Sequence, residues 1–180
     1  MNDPEEATSP RTRRWWIAGA TAAFFVAAAA GSWFAFGRDD HHTANTTADA
    51  AMSARAQQVM PFDLNRTTHT FTQTAQGGVE KVVVNEPSDT RDRDRIRAHL
   101  RTEAENFRQG NYSDPAKIHG MDMPGVNALE EGAARVKVVY APTSGGAQIT
   151  YTSTEAALIS ALHAWFDRQA ADHSAPGMGG

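Results

Sequence analysis

The stretch TTHTFTQTAQGGVEKVVVNE, residues 67–86, decides how the chain folds. Its first nine residues alternate and are rich in Thr and aromatic side chains. Gly77-Gly78 punctuates the run, and VEKVVVNE resumes with β-branched residues, so the stretch predicts a β-hairpin. Toward the C-terminus a helix follows: Asp89 or Thr90 caps it, and Ile96, Leu100, Glu103, Ala104 and Phe107 share one side at 3.6-residue spacing until Gly110. Beyond a loop holding IHGMDMPG (118–125) and a short helical turn around NALEEG, the segments RVKVVYA (135–141) and AQITYTS (147–153) flank PTSGG as a second hairpin. Thr154 then opens a second helix through Leu158, Leu162, Trp165, Phe166 and Gln169. Strand, Gly-Gly, strand, helix has occurred twice. The expected fold is α+β: two ββα units making a four-stranded, mainly antiparallel sheet with two helices on one face.

Toward the N-terminus the composition changes twice. Residues 38–59 are Ala, Thr and Asp with no sustained apolar period and read as a flexible linker, in which His41 and His42 are expected to be solvated. Residues 15–36, WWIAGATAAFFVAAAAGSWFAF, carry no charge, and as a helix they reach about 33 Å, enough to cross a hydrocarbon core of about 30 Å. Trp15, Trp16 and Trp33 lie near the two ends of this run, where amphipathic rings favour the headgroup layer. Arg11, Arg13 and Arg14 precede it, while Arg38, Asp39 and Asp40 follow, so the basic flank is expected to stay in the cytoplasm. The organisation is then a cytoplasmic tail (1–14), a retained transmembrane anchor or uncleaved signal (15–37), the linker (38–59), an extracytoplasmic domain (60–173) and a disordered tail (174–180). TRRWWI (12–17) also resembles a loose twin-arginine export signal. The expected location is the bacterial cell membrane, single-pass, with the C-terminal domain outside the cytoplasm.

Composition narrows the chemistry. The formal net charge is −4 and basic residues are interleaved with acids, as in DTRDRDRIRAHLRTEAE, so no stripe of one sign exists to track a nucleic acid backbone. The chain has no Cys, which excludes thiol nucleophiles and restricts any metal to His, Met and carboxylate ligands. No nucleophile-elbow, phosphate-loop, dinucleotide or zinc-protease motif is present.

His119, Met121 and Met123 form an H-x-M-x-M run closed by Pro124-Gly125. Cuprous ion is soft and takes thioether and imidazole, and in an oxidising compartment Met and His serve where thiols would be oxidised. If the run is extended, alternation by two puts all three side chains on one side. The competing reading makes the methionines core-edge filling before a turn. His99 precedes Glu103 by four, and His163 precedes Asp167 by four, so each acid stands one turn on and can orient its imidazole. The alternative is an ordinary helix pair, worth about a few tenths of a kcal/mol. His173 can return to the same site.

MPFDLNRTTHTF (60–71), IRAHLRTEAENFRQGNYSDPAKIHGMDMPG (96–125), GAQITYTS (146–153) and ALHAWFDRQAADH (161–173) together resemble a family of small bacterial proteins of unestablished activity, often given the name aspartate carbamoyltransferase. His69, His99, His119, Met123, His163 and His173 match the family pattern. The name implies carbamoyl transfer, yet the chain has no Ser-Thr-Arg-Thr phosphate loop, and about 110 residues do not make two domains. The sequence therefore favours a membrane-anchored domain binding copper through His119, Met121 and Met123 with His163, His99, His69 and His173 as further candidate ligands. A non-catalytic envelope interaction domain stands second and an enzyme third.

Overall fold

The computed structural model describes residues 40–174, with side chains from residue 47 onward. The predicted first hairpin is formed by β1 (Thr67–Thr74) and β2 (Gly77–Val84), in register from Thr67 opposite Val84 to Thr74 opposite Gly77. The second is formed by β3 (Lys137–Pro142) and β4 (Gly146–Thr152). β2 also pairs antiparallel with β4, giving one four-stranded sheet of order β1-β2-β4-β3. The two hairpins thus meet back to back through their second strands.

Period two sorts the sheet into an inner and an outer face. Thr67, His69, Val82, Val84, Ala147, Ile149, Tyr151 and Val138 point inward and are buried, whereas Thr70, Thr72, Lys81 and Val139 on the other side are exposed. The inner face is covered by the two predicted long helices, α2 (Thr90–Arg108) and α5 (Ala156–His173). Asp89 caps α2, its carboxylate accepting from the Asp92 N–H at 3.2 Å. The packing is crossed: α2 lies chiefly on β4 and β3, and α5 on β1 and β2, so each helix covers the strands of the other unit.

The Gly-Gly pair is not the turn that the sequence reading made of it. Ala75 and Gln76 turn the chain, and both glycines open β2. A Cβ at Gly78 would lie 2.3 Å from Cε2 of Phe166, so its small size is what lets α5 sit close on the strand.

The expected flexible linker is also ordered differently: Asp40–Val59 forms helix α1. Its C-terminal turns carry Met52, Ala56 and Val59 at i, i+4 and i+7, and Met52 and Ala56 are buried in the core. Arg55 donates to the Ile118 carbonyl at 2.9 Å, fastening α1 to the short helix α3 (Ser113–His119). A further short helix, α4 (Val126–Glu131), fills the NALEEG region and rests on α5. No helix among the described residues is long and apolar enough to cross a membrane, and the apolar run at 15–36 lies outside them.

Candidate metal centre

IHGMDMPG is half helix and half turn. His119 is the last residue of α3, and Gly120, at φ +94 and ψ 168, ends the helix. The chain is not extended through the run, so the three side chains part company. His119 has 1% of its side chain exposed and Met123 is buried, while Met121 is 84% exposed and stands away from both.

His119 is joined by two imidazoles from elements distant in sequence. His173, at the end of α5, has its ring centroid 5.5 Å from that of His119 and 4.8 Å from that of His69 on β1. Phe62 stacks on His69 at 5.9 Å, meets His99 of α2 edge-on at 5.8 Å, and so walls the group on one side. Met123 stands behind Gln169, whose side-chain amide donates to its sulfur at 3.7 Å, and is not among the residues that line the cavity described next. His99, His119, Gln169 and His173 line one cavity of about 30 Å³, room for one or two waters or a single metal ion.

The hydrogen bonds fix which ring nitrogens are available. Nδ1 of His173 stands 2.8 Å from the Gln169 carbonyl, which can only accept, so Nδ1 carries the hydrogen and Nε2 keeps its lone pair. Nδ1 of His119 donates likewise to the Asp172 carboxylate at 2.7 Å, which Arg168 also holds at 2.8 Å. Oriented imidazoles of this kind, with Nδ1 committed to an oxygen, are the usual arrangement behind a metal-ligating Nε2. Burial, followed by the neighbouring His173, brings His119 down to about 4. Burial lowers His173 and His99 as well, so the imidazoles are neutral and ligation-competent at neutral pH.

His163 is placed elsewhere. Its Nε2–H donates to the carbonyls of Thr74 and Gly77 at 2.9 and 3.1 Å, clamping α5 to the first hairpin turn. Its predicted partner Asp167 accepts instead from Gln73 at 2.7 Å, and Glu103, the predicted partner of His99, accepts from Asn106 at 3.0 Å.

A second group of side chains lines the cavity, and of these Glu80 and Asp114 had no part in the sequence pattern. Glu80 projects from the inner face of β2, accepts from the Tyr151 hydroxyl at 2.8 Å and lines the same cavity with Glu103, Asp114 and Trp165. Burial raises both Glu80 and Glu103 to about 7, with the Asp114 charge adding to the effect on Glu103. The alternation of VEKVVV was the available signal, since it puts Glu80 on the side of Val82 and Val84.

Among the described residues, no three His, Asp or Glu side chains stand in an arrangement that could hold a metal ion. No protein-family model, curated protein or solved structure matches the chain.

Proposed function

We propose that this is a membrane-anchored extracytoplasmic domain that binds cuprous ion, with His119 and His173 as imidazole ligands, Met123 as thioether ligand, and His69 beside them. The observation that carries the reading is the pair of buried imidazoles 5.5 Å apart, each with Nδ1 committed to an oxygen acceptor and Nε2 left with a lone pair. Cuprous ion accepts two or three soft or borderline donors, which suits two imidazoles and one sulfur. Burial shields the sulfur from oxidation to the sulfoxide. The membrane anchor and outward orientation rest on the apolar run and its arginine flank.

The competing reading, a packing and interaction domain, is favoured by the rings that enclose the histidines: Phe62 stacks on His69, and Phe71 lies 5.1 Å from His173. Titration of the untagged full-length chain with cuprous ion against a competing chelator, under reducing conditions, separates the two. One copper per chain is expected. Met123→Leu keeps apolar volume, so stability should change by less than about 1.5 kcal/mol while affinity falls at least tenfold. Met121→Leu should bind as wild type does. A wild type that retains no copper against the chelator returns the histidines to packing.

A further inference from the structure

The aromatic core under α2 and α5 is not built from the residues that pack at least cost. Tyr112, Tyr151 and Trp165 are each exposed by 2% or less, and each carries a polar atom into the interior. Phe would fill similar space with no donor to satisfy. The chain has three tyrosines, and two of them touch Trp165, the one tryptophan among the described residues. Tyr112 meets Trp165 edge to face at 5.2 Å, and Tyr151 meets it edge to face at 5.4 Å. Phenol and indole are the aromatic side chains that give up an electron most readily. Phe107 and Phe166, which close the cluster, hold theirs far more tightly.

The three rings differ in what can take their proton. The Tyr151 hydroxyl donates to the Glu80 carboxylate at 2.8 Å, a direct path across one hydrogen bond. The Trp165 indole N–H has no acceptor among the described residues. In the resting state burial keeps the phenol proton on Tyr151, well above its ordinary value, and the same burial raises Glu80 to about 7. A phenol turns strongly acidic once an electron has left it, so a carboxylate already in contact takes the proton. At the other end of the row, Tyr112 lines a surface groove with Ser113, Ala116 and Met121, the last 84% exposed.

We infer that Tyr151 is a one-electron redox site, oxidised through Trp165 and Tyr112 by an oxidant at that groove, with Glu80 receiving its proton. The oxidant belongs to the class of organic radicals and oxidised metal complexes that accept a single electron. One electron leaves Tyr151, passes by Trp165 and Tyr112, and reduces the oxidant by one. The Tyr151 O–H bond breaks, an O–H bond forms on Glu80, and Tyr151 becomes a neutral phenoxyl radical. Trp165 is a relay and not a resting place: with no base at its N–H it keeps its proton, and its radical cation recovers an electron from Tyr151. Return of one electron from a donor at the groove, and of the proton from Glu80, restores the starting pair. The inference does not rest on the copper reading.

The probe is tris(bipyridine)ruthenium(III), generated by a light flash with a cobalt(III) ammine as electron acceptor. It is applied to the full-length chain in detergent at about pH 8, where Glu80 is ionised. Samples frozen after the flash are read by electron paramagnetic resonance, in which tyrosyl and tryptophan radicals differ in hyperfine pattern. All chains carry Tyr140→Phe, so only Tyr112 and Tyr151 remain as phenols. A neutral tyrosyl radical is expected in this parent. Tyr151→Phe should abolish it, and Glu80→Gln and Trp165→Phe should each lower its yield at least tenfold. Circular dichroism melts identify any variant that fails to fold, and the folded ones decide. A parent without a tyrosyl radical overturns the inference whatever the variants do, as does a signal undiminished in Tyr151→Phe or in Glu80→Gln.

Discussion

His119 and Glu103 line one cavity yet respond to acid in opposite directions. Burial and His173 hold His119 near 4, against an ordinary value of 6.5, so between those values the unfolded chain binds a proton that the folded chain refuses. The stability contributed by neutral His119 is complete above 6.5 and is lost as pH falls toward 4. Glu103 is the reverse. Burial and Asp114 raise it from 4.5 to about 7, so the folded chain keeps a proton that the unfolded chain gives up, and the associated stability is present below 4.5 and lost as pH rises through 7. Glu103→Gln removes only this second slope. Relative to wild type, the variant should gain about 1 to 3 kcal/mol at pH 8 and little at pH 5, as read by urea unfolding at the two pH values. An equal gain at both would show that ionisation of Glu103 is not what costs stability. At this scale the sequence was informative where chemistry is rare. His69, His119 and His173 are brought together from three segments, whereas Glu80 and Asp172 are ordinary acids whose meaning depends on contacts at long sequence separation.

The segment from Gly120 to Gly125 joins α3 to α4 and sends Met121 outward and Met123 inward. Its two glycines are predicted to differ. Gly120 lies in a region of backbone space reserved for glycine, but a Cβ there would meet nothing within 4 Å, so Gly120→Ala should cost about 1 to 3 kcal/mol from backbone strain alone. Gly125, at φ +83, would place a Cβ 2.2 Å from the Ala161 carbonyl oxygen on α5, adding a clash between two backbones. Gly125→Ala should therefore exceed about 3 kcal/mol. Chemical denaturation of both variants checks the order, and a milder Gly125→Ala would mean that α4 moves off α5 at little cost. The long, strongly periodic elements α2 and α5 and both hairpins were legible in the sequence. Two shorter features were not. Helix α3 follows from Ser113-Asp114-Pro115, acceptable first-turn residues that are also loop residues, and α1 carries its apolar positions only at its C-terminal end.

In the whole molecule the crossing of the helices matters most. Because α2 lies chiefly over β3 and β4, and α5 over β1 and β2, neither ββα unit encloses a core of its own. A fragment of residues 60–110 and one of residues 111–174 should each be unfolded alone by circular dichroism and regain structure when mixed. Cooperative melting of the first fragment by itself would refute this interdependence. The duplicated pattern in sequence announced the two units, but which helix covers which strands depends on chain crossing, and no local spacing encodes that. The strand order has one more consequence. With β2 and β4 paired at the centre, β1 and β3 are the two rims of the sheet, and each carries its own deterrent to a strand from another molecule. Lys137 sets a charge at the start of β3, and Pro142 at its end offers no N–H to an incoming chain. Along β1 the outward positions are Thr68, Thr70, Thr72 and Thr74, a hydroxyl-bearing border in place of an apolar one. Among the described residues the sheet is uncovered on its outer face and open at both rims, and these edge residues keep it from seeding fibrous aggregates.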